Sequence, residues 1–155
     1  MPIILASDGT FAGTANRAML INMQSKLKAM GGVSAAVIGE PKSAVQDGLV
    51  AIIPASGRVD ETTLASPREI HVLTLRRYVN AMREPLEDAE FEMDDWRAAV
   101  MEDIFGDFDL GGTVAYALPT QFEWHYGFQT IEQTMYRLLD LTVAYRIDDN
   151  SSFTA

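Results

Sequence analysis

The sequence predicts an α+β domain, a mainly antiparallel β-sheet with two main helices packed against it. Three observations carry this. Leu139, Leu141, Val143, Tyr145 and Ile147 alternate with Asp140, Thr142, Ala144 and Arg146, a period of two that reads as a strand with one buried and one polar face. Leu20, Met23, Leu27 and Met30 recur at helical 3-4-3 spacing. The order of elements, a helix, three strands, a second helix and two strands, comes with hairpin-length links, which favours antiparallel neighbours.

Residues 1–13 contain Asp8, Gly9, Thr10 and Gly13 and are expected to be a loose lead-in. Thr14 is placed to cap a helix over 14–30 that Gly31 and Gly32 stop. Lys26 and Lys28 fall in its last turns, where the helix dipole favours cations. Two β-rich runs follow at 33–39 and 49–54, separated by the turn-like Glu40-Pro41-Lys42-Ser43 and by Asp47-Gly48. Residues 55–68 are small and polar and read as a long loop, of a length that is functional or mobile. Residues 69–79 form a strand with Ile70, Val72, Thr74 and Tyr78 on one side and His71, Leu73, Leu75 and Val79 on the other. Apolar residues on both faces make it a central strand.

From 84 to 109 there are eleven acids and one base, Arg97. The second half of this block reads as a helix capped by Asp94 or Asp95, with Met93, Trp96, Val100 and Ile104 as its apolar face and Gly106 at its end. Gly111-Gly112 turns into a strand over 113–122, and 123–135 is a second long connection before the closing strand. The reading is one domain over 14–148 with a tail at 149–155.

A chain of 155 residues buries roughly 70% of its unfolded surface, enough for an independent core. Its 48% hydrophobic and 22% charged residues are ordinary for a globular protein. The longest apolar runs, 33–38 and 49–54, fall far short of the ~20 residues of a membrane span. The first residues lack a basic segment followed by an apolar core, so no secretion signal is expected. On that reading the formal glycosylation match at Asn150 is chance. The absence of cysteine excludes disulfides, thiolate zinc sites and cysteine nucleophiles. A net charge of −10 argues against a conventional nucleic-acid binder, which needs clustered Lys and Arg. It is compatible with a protein past which DNA slides, because an acidic lining repels phosphates; charge alone does not choose between that and simple solubility, the more common reason.

Tests for chemistry return little. His71 and His125 are not spaced as metal ligands; His71 reads as a packed or hydrogen-bonded strand residue. His125 sits in Phe122-Glu123-Trp124-His125-Tyr126, either a binding surface or a loop tucked onto the core. Asp103, Asp107 and Asp109 have the wrong spacing for a calcium loop. Gly9 and Gly13 precede a helix without the strand or the Lys-Ser/Thr of a phosphate loop. No Gly-x-Ser-x-Gly elbow occurs. No catalytic residue, metal ligand or cofactor is therefore assigned.

The arrangement resembles the tail terminator proteins of long-tailed bacteriophages, also called tail completion or neck proteins. The residues that carry the resemblance are Val37-Ile38-Gly39-Glu40-Pro41-Lys42-Ser43 after the first helix and the strand Ile70-His71-Val72-Leu73-Thr74-Leu75-Arg76. With them go the helix Trp96-Arg97-Ala98-Ala99-Val100-Met101-Glu102-Asp103-Ile104 and the ending Met135-Tyr136-Arg137-Leu138-Leu139-Asp140-Leu141-Thr142-Val143. The likeness spans about 14–148, and the lead-in at 1–13 and the aromatic segment 122–128 depart from it.

The resemblance implies a non-enzymatic, homo-oligomeric ring, expected to be a hexamer. Such a ring caps the tail tube, ends its polymerisation and joins it to the head connector while DNA passes through. The expected partners are further copies of the chain, the major tail tube protein, a head-closure or connector protein, and DNA in the lumen without specific binding. No membrane is expected. The expected location is the tail or neck of the virion, reached from the host cytoplasm. Under this reading Arg58, Asp60, Glu61 and Arg68 form a docking loop, and Leu20, Met23, Leu27, Glu40 and Lys42 form a subunit contact. Glu84, Glu87, Asp88, Glu90, Asp94 and Asp95 line the lumen or one charged face. The competing readings are a head-closure or other connector-ring subunit, a small metal-dependent enzyme using Asp103, Asp107, Asp109 and His125, and a cytosolic adaptor that forms no ring.

Overall fold

A computed structural model describes residues 4–5, 11–13, 15–42, 45–60, 68–82, 85 and 87–148. Its elements in chain order are β1 (Ile4–Leu5), β2 (Phe11–Gly13), α1 (Ala15–Lys28), β3 (Ala36–Ile38), β4 (Val50–Asp60), β5 (Arg68–Asn80), α2 (Glu87–Gly106), β6 (Tyr116–Trp124), β7 (Gln129–Ile131) and β8 (Thr134–Asp148). Strands β3 to β8 form one mostly antiparallel sheet in the order β3-β4-β5-β8-β6, with β7 also paired to β8. The fold is therefore α+β, and β5 and β8 are its central strands.

The alternation of β8 acts as read. Leu139, Leu141, Val143, Tyr145 and Ile147 are buried, and each lies opposite a β5 residue on the same face, Leu141 against Leu75 and Val143 against Leu73. Both helices cover this face. Met19, Met23 and Leu27 of α1 and Ala89, Met93, Trp96, Val100 and Ile104 of α2 complete the main core. Among the described residues, one end of the other face carries a smaller cluster around Leu49, Ala51, Tyr78, Tyr136 and Leu138. There Val45 and Ile131 pack in, and the Tyr136 hydroxyl donates to the Val45 carbonyl at 2.9 Å.

Several expectations need correction. The lead-in carries a short antiparallel strand pair, β1 with β2, and Thr14 lies outside the described residues. The stripe of α1 centres on Met19, Met23 and Leu27, leaving Leu20 and Met30 partly buried at its flank. The described part of the supposed loop 55–68 is strand, because 56–60 pair with 68–72 after a bulge next to Pro54; residues 61–67 lie outside the described set. Helix α2 starts at Glu87, so Asp94 and Asp95 are interior positions and not caps. The acids Glu87, Asp88 and Glu90 form its first turn, where the positive end of the dipole favours them.

The connection 123–135 is mostly strand as well, since β6 runs to Trp124 and β7 pairs with β8. The β7–β8 turn places Glu132 and Gln133 at φ 48° and 68°, a conformation that normally selects Asn or Gly. Finally, β3 and β4 are parallel, Ala36 opposite Val50, with the Asp47-Gly48 turn in their connection.

Candidate functional site

The end of β6, the segment 125–128 and the first turns of α2 enclose an open cleft of about 780 Å³. Its construction starts with Arg137, which β8 places opposite Val79 on the helix-covered face. Arg137 Nε donates to Glu90 Oε1 of α2 at 2.7 Å. Its Nη1 donates to the carbonyls of His125 and Gly127, so the segment curls around one guanidinium. Gly127, at φ 74°, permits that curl. Trp124 packs against the core, while Tyr126 is fully exposed and Phe128 half exposed. With Glu87 and Glu90 alongside, the cleft offers aromatic faces and carboxylates. Those groups bind apolar or cationic side chains.

His125 ties the cleft to the opposite face of the sheet. Its Nε2 lies 2.7 Å from Asp140 Oδ2, and Asp140 also accepts two hydrogen bonds from Arg76, at 2.8 and 3.0 Å. Arg76 in turn lies 3.5 Å from Glu40. Burial alone would push the Asp140 carboxyl up; hydrogen bonds from Arg76 and His125 outweigh it and hold the carboxyl below the usual carboxylate range. His71 is packed, stacked on Tyr145 with ring centres 5.1 Å apart, and hydrogen-bonded to Glu69.

A second hollow of about 640 Å³ lies between the α1 end and α2, and Arg77 lies in its lining. Arg77 is fully buried. Its Nη2 donates to the Gly32 carbonyl at 2.8 Å and to Glu92 Oε1 at 3.1 Å, and the guanidinium lies 5.8 Å from the Trp96 ring centre. Sequence reasoning missed this residue. The signal was its parity with Leu73, Leu75 and Val79, which places it on the core face.

The residues singled out from sequence scatter. Asp103 and Asp107 close on Lys26 at 3.0 and 2.8 Å, and Asp107 also accepts from the Gly111 amide. The Lys26 hydrogen bond and then the Gly111 amide hold the Asp107 carboxyl below its usual range. The cation these carboxylates bind is thus a lysine, whereas His125 pairs with Asp140. Among the described residues no three His, Asp or Glu side chains are grouped to hold a metal ion. No described helix is long and apolar enough to cross a membrane.

Met23 and Leu27, expected at a subunit contact, are buried in the chain's own core and have no surface to offer. Leu20 is partly buried against that core, Glu40 reaches toward Arg76, and Lys42 is exposed. Arg58 is exposed on β4, Asp60 pairs in the ladder with Arg68, and Arg68 lies 3.9 Å from Asp148. Arg58, Asp60 and Arg68 are thus strand positions on either side of 61–67 and not loop positions, and Glu61 and Glu84 lie outside the described residues.

The acids do not share one face. Glu87 and Glu90 border the aromatic cleft, and Asp88 and Asp95 border the second hollow. Asp94 pairs at 2.8 Å with Arg97, whose guanidinium lies 4.5 Å from the Phe122 ring centre.

Set beside known proteins, the sequence matches no family model and no curated protein.

Proposed function

We propose that this protein is a virion structural subunit of the tail terminator kind. In this reading copies form a ring, expected to be a hexamer, that caps the tail tube, ends its polymerisation and joins the tail to the head connector. One observation carries the reading: large aromatic side chains stand at least half exposed on separate parts of the surface. Tyr126 and Phe128 flank the cleft, Phe91 borders the second hollow, and Phe105 and Phe108 lie at the far end of α2. Fourteen residues of helix, about 21 Å, separate Phe91 from Phe105. Exposed apolar groups on several sides suit a subunit covered by more than one neighbour. The abundant acids suit a passage through which DNA must slide without adhering.

The test is assembly. Sedimentation should find a closed oligomer of the purified protein, alone or with tail tube protein, and particles made without it should carry tails of irregular length that fail to join heads. A protein that stays monomeric under every condition, while infectious particles form normally without it, ends the reading.

A further inference from the structure

Both helices lie on one side of the sheet, and among the described residues the small cluster around Tyr78 and Tyr136 lies at one end of the other side. At the opposite end the ladder fixes which residues face outward. They include Ile70 and Val72 on β5, Ala144 on β8, and Tyr116 and Leu118 on β6. An antiparallel sheet that faces water normally places polar residues at such positions. Here aliphatic residues stand among the polar ones, and both described helices pack on the other side of the sheet.

The edges of the sheet are poor places for another strand to add. Strand β4, an edge beyond its short pairing with β3, and the outer strand β6 each carry a proline at a bulge, Pro54 and Pro119. Proline and bulges are the devices that block edge pairing. The face is left as the surface to be covered.

Charge selects the occupant. The outward ladder positions at this end include Arg58, Arg68 and Arg146, of which Arg68 and Arg146 share Asp148. Helix α2, on the far side of the same subunit, carries eight acids and one arginine, interspersed with the exposed Phe91 and Phe105. The two sides are complementary in sign, and both are rich in apolar groups.

We propose that this end of the sheet face receives a second copy of the chain. The acidic first turns of α2 and the aromatic cleft of one copy lie against Ile70, Val72 and Leu118 of its neighbour, with Glu87 opposite Arg58. The contact is front to back between unlike surfaces, the kind whose repetition builds a ring when its rotation closes. This inference rests on the ring reading and names the contact that builds it.

The cysteine-free chain makes the test direct. Leu118→Cys and Tyr126→Cys alter exposed positions. The two variants, mixed and treated with a short bis-maleimide, should yield a crosslinked heterodimer that neither gives alone. Arg58→Glu and Glu87→Arg, each folded by circular dichroism, should each weaken self-association about tenfold at low salt, and the combined variant should recover it. Crosslinks found only within one chain, or only to a different virion protein, overturn the copy as occupant. A wild-type protein that assembles while both reversals assemble equally well and no heterodimer forms overturns this contact and leaves the ring reading standing. A wild-type protein that never self-associates removes both.

Discussion

Replacing Asp140 by Asn removes one charge from a group that faces two partners and changes the shape of the side chain hardly at all. The Arg76 and Asp140 side chains are 18% and 20% exposed, so their bidentate pair is mostly withdrawn from water. Breaking a buried pair from one side costs about 3–5 kcal/mol, because the remaining charge is left without compensation. Asn keeps an oxygen that can accept one hydrogen bond, worth roughly 1 kcal/mol, and the residual exposure softens the penalty further. The expected loss at pH 7 is therefore about 1.5–3 kcal/mol.

The sign of the pH dependence follows from the direction of the shift. Asp140 has a folded-state value below its ordinary one. Its contribution is complete above the ordinary aspartate value of about 3.9 and disappears as pH falls through the depressed value. A protonated Asp140 is neutral, much like Asn, so wild type and variant should converge in acid. Urea unfolding followed by circular dichroism, at pH 7 and in steps down to about pH 3, measures the gap with an unchanged m-value as the control. An equal gap at both ends of that range, or a variant as stable as wild type at pH 7, would refute the assignment of this pair as the clasp between β5, β8 and the cleft.

Leu141→Asp should abolish cooperative unfolding at pH 7. The site is fully buried, with Leu75 and Phe122 opposite it; losing the leucine costs about 2–5 kcal/mol, and protonating the new carboxyl costs about 4 more, together comparable with a whole domain's 5–15. A soluble Leu141→Asp protein with a cooperative melt would show that the strand faces the other way. Glu132→Asn with Gln133→Gly should raise stability by about 1 kcal/mol, read as a higher urea midpoint, because both positions hold a left-handed backbone. Arg137→Met should leave the far-UV spectrum unchanged and cost no more than about 2 kcal/mol, its Glu90 partner being 45% exposed. Amide exchange at Tyr126 to Phe128 should nevertheless accelerate, since the guanidinium that gathers this segment is gone.

What could be read from the residues alone divides along physical lines. The alternation of β8 and the apolar residues on both faces of β5 come from burial in the middle of the sheet, so both strands, and the central place of β5, were legible. The distal half of β4 has exposed residues throughout, from Pro54 to Val59. Its order comes from pairing with β5, and Ser56, Gly57 and Arg58 give no local sign of that. The start of α2 was obscured for a different reason. Glu87, Asp88 and Glu90 look like a charged linker until the dipole is considered, and Ala89 is too small to announce a buried stripe.

The cleft was half legible. The aromatic run 122–126 stood out, but its closure by Arg137 and Glu90 depends on residues distant in sequence. Spacing argued against a calcium loop at Asp103 and Asp107, but it could not reveal that Lys26 lies between them.

Two electrostatic effects oppose each other when copies of this chain meet, and salt separates them. Each copy carries a net charge of −10, so the long-range force between copies is repulsive and slows encounter. The proposed contact sets Arg58 against Glu87, a short-range attraction that acts chiefly after docking. Screening over a Debye length of about 8 Å at physiological salt falls hardest on the long-range term. Raising the salt should therefore speed association, and by weakening the local pair it should also speed dissociation. Stopped-flow light scattering can separate the two rates. A subunit held only by apolar contact would show faster association with no change in dissociation. One whose association slows with salt would be steered by its oppositely charged sides in spite of the net charge of −10, and the claim that net repulsion limits encounter would have to be abandoned.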